Sequence, residues 1–142
     1  MTRTGHCHCG AVAYEWDDDT NNNGIVCYCT TCQRLGSSES YNLQTEQKLV
    51  RTTKGTPTSY EDHNTDSGKP VTRYFCGTCG STLWSDPASA PGVRFLKVGG
   101  LDDAKNVKLV AEIYVDTAIP LLPRPKEASG HKKFEGMMTK EV

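Results

Sequence analysis

Seven cysteines, gathered in three short groups, are the residues of this chain that are best suited to chemistry. They form a first pair (C-x-C), a central cluster (C-x-C-x-x-C) and a second pair (C-x-x-C), which are Cys7 and Cys9; Cys27, Cys29 and Cys32; and Cys76 and Cys79. Spacings this short let neighbouring thiolates converge on one ion, so they favour metal binding over disulfides. Soft thiolates in tetrahedral sets select zinc or iron–sulfur clusters.

The seven thiols divide naturally into a set of four and a set of three. Four thiolates complete a structural zinc site, whereas three leave one coordination position open, as a catalytic zinc site requires. The four-ligand set has three possible compositions: the central cluster recruits one other cysteine, the cluster combines with either pair, or the two pairs join. Joining the two pairs is simplest, and it closes a loop of roughly seventy residues, which chain entropy makes a stabilising crosslink.

The central cluster would then be a local three-ligand site, whose chemistry follows from its charge. Three thiolates reduce the Lewis acidity of zinc, so activation of water for hydrolysis is not its best use. A soft exogenous thiol would bind there as thiolate, which is the attacking species, and would form a hemithioacetal with a carbonyl compound. The alternatives are that both metals are structural, that the cysteines form disulfides, or that an iron–sulfur cluster binds, for which a fourth ligand is not obvious.

Short β-type segments would position these cysteines, because the sequence has hardly any helical periodicity. The predicted strands are 11–16, 25–26, 40–43, 49–53, 59–61, 71–75, 82–84, 93–98 and 107–115. One helical turn is expected from Cys29 to about Ser37, ended by Gly36. After Asp116 we expect an irregular, proline-containing and polar tail, wrapped on the surface or loose at its end. About eight or nine short strands favour a mostly β domain.

Length and charge narrow the possible functions. A chain of 142 residues suffices for one domain with a single core. The net charge of −1 gives no basic field for nucleic acid, and no run of roughly 18 apolar residues is present for a membrane span. Residues 1–6 lack the apolar core of a secretory signal. Seven cysteines without such a signal predict a reducing compartment, the cytoplasm.

Three cysteine motifs resemble those of the glutathione-dependent formaldehyde-activating enzymes, a family with a β-tent zinc fold. They are 5–12 (GHCHCGAV), similar to the opening G-x-C-x-C-G motif; 27–34 (CYCTTCQR), similar to the C-x-C-x-x-C-R type; and 75–81 (FCGTCGS), similar to F-C-x-x-C-G-S. Segments 100–103 and 113–116 resemble the closing strands of the family. The resemblance covers about residues 3–120. It implies a single domain over 1–142 of short antiparallel strands held by zinc, with a core at about 3–120 and a C-terminal tail at 121–142.

The resemblance also implies two zinc ions per chain. A structural zinc would be bound by the two pairs, Cys7, Cys9, Cys76 and Cys79, and a catalytic zinc by the central cluster, Cys27, Cys29 and Cys32. It implies a carbon–sulfur lyase that adds glutathione to formaldehyde, giving S-(hydroxymethyl)glutathione. The partners would then be a small-molecule thiol and an aldehyde, with no nucleic acid and no membrane. Arg34 follows the cluster, and we expect that it can contact a glutathione carboxylate, because Arg binds carboxylates bidentately.

Several positions differ from the family pattern near the expected substrate pocket. Tyr28 stands where the family often has His, segment 36–38 (GSS) replaces small apolar residues, and Leu121 and Leu122 occupy a place where an aromatic residue is common. A different aldehyde or a thiol adduct of secondary metabolism is therefore an alternative substrate. A non-catalytic zinc module is an alternative function, because no general base is identifiable in the sequence.

Two residues outside the metal sets, Tyr28 and His8, lie next to ligands and are candidates for a role near them. Tyr28 could hydrogen-bond a reacting oxygen, the alternative being a packing residue. His8 lies between two thiols, and we expect it to point away from them because neighbouring residues in a strand face opposite sides. We expect His6 and His131 to lie on the surface.

Overall fold

The computed structural model describes residues 1–120 and 130–142, and the chain forms two compact units, each built from two stretches. The first unit comprises Met1–Asn21 and Leu43–Asn106, and the second comprises Asn22–Asn42 and Val107–Val142. Strands dominate both units, because short runs rich in β-branched and aromatic residues suit a pleated, half-buried surface. This confirms the prediction of a mostly β fold, while the single-domain boundaries stay a prediction.

Twelve strands and one α-helix occur in the described part of the chain. The strands are β1 (Arg3–His6), β2 (Ala13–Trp16), β3 (Asn23–Cys27), β4 (Ser40–Glu46), β5 (Val50–Lys54), β6 (Thr58–Asp62), β7 (Val71–Phe75), β8 (Thr82–Pro87), β9 (Val93–Lys97), β10 (Lys108–Ile113), β11 (Lys132–Glu135) and β12 (Lys140–Glu141). The helix α1 spans Thr30–Gly36, in agreement with the helical turn predicted from Cys29 to about Ser37. Short 3-10 helices cover Gln47–Leu49, Val98–Gly100, Ala104–Asn106 and Val115–Thr117. None of these helices has the length and hydropathy needed to cross a membrane.

In the first unit, β1, β2 and β5 form an antiparallel sheet, and β6, β7, β8 and β9 form an antiparallel meander. The core of this unit contains both tryptophans, Trp16 and Trp84. The indole N–H of Trp16 donates to Thr45 Oγ1 at 2.9 Å, and Tyr14 meets the Trp84 ring edge-on with ring centroids 5.5 Å apart. Such aromatic packing fixes the ends of β1 and β7, the strands that lead into the two cysteine pairs.

The first strand, β1, was not predicted, because its sequence RTGH contains no apolar side chain. Arg3 nevertheless alternates into the interior, where its guanidinium lies 4.5 Å from the centroid of the Trp16 ring and hydrogen-bonds Asp103 at 2.9 and 3.0 Å. Gly5 is the second inward residue, and a Cβ there would lie 2.4 Å from the Tyr14 ring and 2.6 Å from the Gly100 carbonyl oxygen. Glycine therefore permits the close approach of β1 to its neighbours.

In the second unit, β3 pairs with β10 and β10 pairs with β11, both in parallel, while β12 returns antiparallel to β11. The expectation of antiparallel strands is wrong for the two parallel pairs. The physical reason is the length of the connections, since a parallel pair needs a crossover of a dozen or more residues and both pairs have one. The helix α1 follows β3 directly and belongs to the same unit.

The C-terminal tail is more regular than the sequence indicated. Residues 121–129, which include Leu121 and Leu122 and part of the predicted irregular stretch, lie outside the described residues. Residues 130–142 contain β11 and β12, so the prediction of an irregular tail is wrong for this part. The strand β11 (KKFE) contains a single apolar residue, Phe134, and thus carries no alternation that could be read from the sequence.

Candidate metal centres

The two cysteine pairs of the first unit form one four-cysteine set. The Sγ atoms of Cys7, Cys9, Cys76 and Cys79 all lie within 4.8 Å of one another. The Cys7–Cys9 and Cys9–Cys76 sulfur distances are 3.6 and 3.8 Å. Four sulfurs placed tetrahedrally around zinc at about 2.3 Å lie about 3.8 Å apart, so the donor set fits this ion. Of the partitions considered above, the structure brings together the one that joins the two pairs.

Backbone N–H groups point at the sulfurs of this four-cysteine set and would stabilise them as thiolates. The N–H of Val12 points at Cys7 Sγ with a nitrogen–sulfur distance of 3.3 Å, and the N–H of Thr78 points at Cys76 Sγ at 3.4 Å. The hydrogen bond at Val12 lowers the pKa of Cys7. Gly80, with φ of +77°, closes the second turn by donating its N–H to the Cys76 carbonyl at 2.8 Å, a conformation that suits glycine.

Ser81 joins the two loops of the four-cysteine set. Its Oγ accepts the N–H of His8 at 2.9 Å and lies 3.2 Å from Cys79 Sγ. Hydrogen bonding from Ser81 lowers the pKa of Cys79 to about 5. The His8 side chain is exposed, as expected for a residue that points away from the thiols. His6 is half exposed, with Nε2 3.3 Å from an Asp102 carboxylate oxygen. This role of Ser81 was not predicted from the sequence, although the residue lies within the FCGTCGS motif.

The central cluster forms a separate three-cysteine set in the second unit. Cys27 ends β3, Cys29 caps the N-terminus of α1, and Cys32 lies within that helix; their Sγ atoms are all within 4.8 Å of one another. The Cys29–Cys32 sulfur distance is 3.0 Å, which is longer than a disulfide and shorter than the tetrahedral edge of about 3.8 Å. None of the seven cysteines, all of which lie in the described residues, forms a disulfide in the structure, which therefore does not support the disulfide alternative. Binding of one zinc ion would lengthen the Cys29–Cys32 sulfur distance by about 0.8 Å.

Two donors support the thiols of the three-cysteine set. The N–H of Cys32 donates to Cys29 Sγ at 3.3 Å, and the hydroxyl of Ser40 donates to Cys32 Sγ at 3.1 Å. Ser40, which begins β4 and stands eight residues after Cys32, was not predicted from the sequence to contact this set. Hydrogen bonds of this kind stabilise ionised sulfur and are therefore appropriate for metal ligands.

In the absence of a cation, two thiols of the three-cysteine set, Cys27 and Cys29, have raised pKa values. Hydrogen bonds with Cys29 and Cys32, followed by burial, raise the pKa of Cys27 far above its ordinary value. A hydrogen bond with Cys27 lowers the pKa of Cys29, but the contact with Cys32 and burial outweigh it and the pKa is raised. Cys27 and Cys32 are buried, whereas Cys29 is half exposed. A bound cation would reverse this balance, because a coordinating thiol is deprotonated.

An apolar shell surrounds the three-cysteine set. Ile113 is buried with Cys27 and Cys32 in one cluster, and Ile25, Tyr114 and Phe134 pack against it. Phe134 was missed because it lies in the stretch predicted to be an irregular tail. An apolar surrounding lowers the local dielectric constant and so strengthens the electrostatic effect of any bound ion.

Tyr28 does not place its hydroxyl at the thiols. Its OH donates to Glu112 Oε1 at 2.6 Å, and Glu112 Oε2 lies 2.5 Å from Nε2 of His131. Ile113, the next residue on β10, packs against the thiols, so Glu112 faces the opposite side of that strand. The expectation that Tyr28 could hydrogen-bond a reacting oxygen is therefore wrong. His131 was expected on the surface, but its side chain is completely buried, because Glu112 accepts it as a partner.

Arg34 lies in the last turn of α1, two residues after Cys32, with an exposed side chain. The preceding residue, Gln33, is directed inward instead, and its side-chain amide donates to the carbonyls of Tyr28 and Thr117 at 2.8 and 2.6 Å. The helix is thus anchored through Gln33, whereas the Arg34 side chain is exposed.

Comparison with known proteins agrees with the cysteine geometry. The family model described as "Glutathione-dependent formaldehyde-activating enzyme" matches residues 2–117. A curated protein of Halomonas elongata (strain ATCC 33173), named "Putative glutathione-dependent formaldehyde-activating enzyme", is 30% identical over 87 residues. That alignment covers 59% of this chain and 55% of the relative, so the chain spans about half of the relative's length.

A solved structure shows the same fold. The crystal structure of a Rhodobacter sphaeroides protein is similar to this chain with a TM-score of 0.57 and 25% sequence identity. The similarity covers 70% of this chain and 87% of that protein. Since the family model matches most of the sequence and includes all seven cysteines, the chain belongs to the family of glutathione-dependent formaldehyde-activating enzymes.

Proposed function

We propose that this chain is a zinc-dependent carbon–sulfur lyase that adds a glutathione-like thiol to formaldehyde or another small aldehyde at the three-cysteine set. The proposal rests chiefly on one observation: three thiols converge within 4.8 Å, and the sulfur ligand at the helix N-cap, Cys29, is half exposed. Three protein ligands leave room for a fourth from outside the protein. Membership of the family supports the same reaction.

The four-cysteine set would bind a second zinc with a structural role. Its four sulfurs supply a complete tetrahedral ligand set, and Ser81 and backbone amides hydrogen-bond them. Cys9 is exposed, but no position on the ion would be open to a substrate. This zinc would crosslink the end of β1 to the end of β7 and so stabilise the first unit.

The reaction would be an addition without a change of oxidation state. When bound at the three-cysteine set, zinc would lower the pKa of an incoming thiol and so supply a thiolate near neutral pH. The sulfur lone pair forms a bond to the carbonyl carbon while the C=O π electrons move to oxygen. The proton released by the thiol ends on that oxygen, which gives the hydroxymethyl thioether.

The residues of the chain would contribute position and environment. Ser40 and the N–H of Cys32 would hydrogen-bond the ligand sulfurs and reduce their negative charge. Ile113 and Phe134 would keep water away from the buried side of the site. Arg34 would provide a positive charge for a carboxylate of the thiol substrate.

A non-catalytic zinc module is the second candidate function. It is favoured by the burial of Cys27 and Cys32, which leaves only part of the three-cysteine set accessible. A different aldehyde or thiol adduct within the same reaction class is compatible with the same geometry. The two functions differ in their expected thiol-addition activity. The enzyme should lose this activity when Cys29 is replaced, whereas a non-catalytic module has none to lose.

The test measures zinc content and thiol addition in the same preparations. Protein is purified anaerobically without chelator, zinc per chain is determined by elemental analysis, and exchange between formaldehyde and its glutathione adduct is followed by NMR. We expect two zinc ions per chain in the wild type, one in Cys29→Ser, and accelerated exchange in the wild type only. Thr31→Ser, on the same helix, is the control and should match the wild type. A wild-type protein that holds two zinc ions but does not accelerate the exchange would instead favour the non-catalytic module.

A further inference from the structure

The C-terminal stretch 130–142 lies beyond the residues matched by the family model, yet it contacts the three-cysteine unit on two sides. Its strand β11 pairs in parallel with β10, with Glu112 opposite Lys133. The Tyr114 N–H donates to the Gly136 carbonyl at 3.0 Å, and the Gly136 N–H donates to Asp116 at 3.2 Å. The stretch is therefore hydrogen-bonded to the unit along its length.

Tyr28, the residue between two of the thiols, is held at its backbone and at its side chain. Its N–H donates to the Ile113 carbonyl at 3.1 Å, and its carbonyl accepts from Gln33 Nε2 at 2.8 Å and Thr117 Oγ1 at 2.9 Å. Its hydroxyl, at the far end of the ring, donates to Glu112. Because Tyr28 shares a peptide unit with each neighbouring cysteine, its orientation determines where their sulfurs point.

Glu112 can occupy this position only if both of its oxygens have partners. Its side chain is completely buried, and a buried carboxylate is costly unless each oxygen accepts a hydrogen bond. Tyr28 supplies the partner for Oε1, and His131 supplies the partner for Oε2 at 2.5 Å. The side chain of His131 is also completely buried. His131 therefore acts on Tyr28 through Glu112.

The same stretch reaches the thiols themselves from the other face of β10. Phe134 packs against the cluster of Cys27, Cys32 and Ile113. His131 directly precedes β11 and Phe134 lies within it, and alternation along this extended stretch places residues three positions apart on opposite sides. His131 and β11 together thus support the carboxylate on one side and cover the ligand sulfurs on the other.

We infer that the stretch 130–142 is part of the three-cysteine site, with Glu112 and His131 as positioning residues that act through Tyr28 and with Phe134 as its apolar cover. This inference rests on the proposed function only in assuming that the site binds zinc. Partners that orient metal ligands typically change metal affinity by about 10- to 100-fold when they are removed. The inference concerns retention and geometry of the metal and not the identity of the substrate.

The first experiment follows zinc release to a colorimetric chelator from the full-length, zinc-loaded protein. Two phases are expected, a fast one from the three-cysteine set and a slow one from the four-cysteine set. We expect Tyr28→Phe, Glu112→Leu and His131→Leu to accelerate the fast phase by about 10- to 100-fold and to leave the slow phase unchanged. Glu112→Gln keeps an acceptor for Tyr28 and should fall between Glu112→Leu and the wild type.

Matched controls separate positioning from general loss of structure. Tyr14→Phe removes a buried hydroxyl that has no hydrogen-bond partner among the described residues of the first unit. Lys132→Ala breaks an exposed ion pair with Glu141 on the same C-terminal stretch. Both variants should release zinc at wild-type rates. An unchanged slow phase in the Glu112 and His131 variants shows that the first unit remains folded.

A spectroscopic measurement provides a readout that reduced stability alone would not change. Cobalt replaces zinc, and its d–d and thiolate-to-cobalt bands report ligand geometry at each site. The bands assigned to the three-cysteine set, identified as those absent in Cys29→Ser, should shift in Tyr28→Phe and His131→Leu. Wild-type release rates and unshifted bands in both variants would overturn the inference. A wild-type protein with no fast phase and one zinc per chain would instead refute the proposed function.

Discussion

The Sγ atoms of Cys9 and Cys76 lie 3.8 Å apart although the residues are separated by 67 positions in the sequence. The distance equals the edge expected of a tetrahedral zinc–sulfur site. A metal at this point would connect the end of β1 to the end of β7, which are far apart in the chain. About half of the first unit lies between these two strands in sequence, so a crosslink there would stabilise the unit.

Replacing Cys76 with Ser should therefore unfold the first unit. Structural zinc contributes on the order of 10 kcal/mol in small domains, which exceeds the stability of most of them. Both tryptophans belong to this unit, so their fluorescence reports its packing. We expect a red-shifted, solvent-exposed emission spectrum for Cys76→Ser and a wild-type spectrum for Cys29→Ser. A native spectrum in Cys76→Ser would mean that the unit folds without its metal.

Replacing Gly5 with Ala should destabilise the first unit by about 1–3 kcal/mol, because the new methyl group would overlap both the Tyr14 ring and a backbone carbonyl. The measurement is denaturant unfolding followed by tryptophan fluorescence. Gly99→Ala is the matched control in the same unit, since a Cβ at Gly99 meets nothing within 4 Å. Equal unfolding midpoints for the two variants would contradict the close approach of β1 to Tyr14.

Acidification should release zinc from the three-cysteine set at a higher pH than from the four-cysteine set. In the three-cysteine set the pKa values of Cys27 and Cys29 are both raised, that of Cys27 by its thiol neighbours and burial. In the four-cysteine set the pKa of Cys7 is lowered and Ser81 lowers that of Cys79 to about 5. A hydrogen bond with the Ala11 backbone lowers the pKa of Cys9, but burial and the neighbouring thiols raise it to about 11, so two lowered thiols in this set stand against one raised thiol. A thiol with a raised pKa holds its proton more tightly, so protons displace the metal earlier as the pH falls. Zinc release measured during a stepwise pH titration should show two transitions. The higher transition should disappear in Cys29→Ser, and a single shared transition in the wild type would disagree with this order.

Replacing Arg34 with Ala should raise the KM for glutathione by roughly two- to fivefold and leave kcat unchanged, because an exposed ion pair contributes up to about 1 kcal/mol. A thiol without carboxylates should be unaffected. The kinetics of both thiols are compared in Arg34→Ala and in Arg51→Ala, whose exposed guanidinium lies in the first unit and contacts Glu15 and Asp17. An equal effect of the two variants would exclude a specific contact at Arg34.

The cysteine spacing predicted the two metal sets, and alternating apolar residues predicted most strands. The strand β1 was not predicted, because Arg3 fills an interior position through its contact with Trp16 and a hydropathy pattern does not reveal such a contact. The strand β11 was not predicted, because Phe134 is its single apolar residue. The partnership of Tyr28 with Glu112 joins positions 84 residues apart, and a single sequence contains no signal for such a pair.

The two units alternate along the sequence, since each is built from two stretches, and this order has a consequence for biosynthesis. Cys27, Cys29 and Cys32 leave the ribosome with β3, but β10, which pairs in parallel with β3, is made only after Asn106, the last residue of the first unit. At 5–20 residues per second, as is typical of translation, the three thiols wait several seconds for that partner. The residues of the first unit are complete before then. Nascent chains therefore pass through a stage in which one cysteine set can already close while the other is still open to oxidants and competing metals.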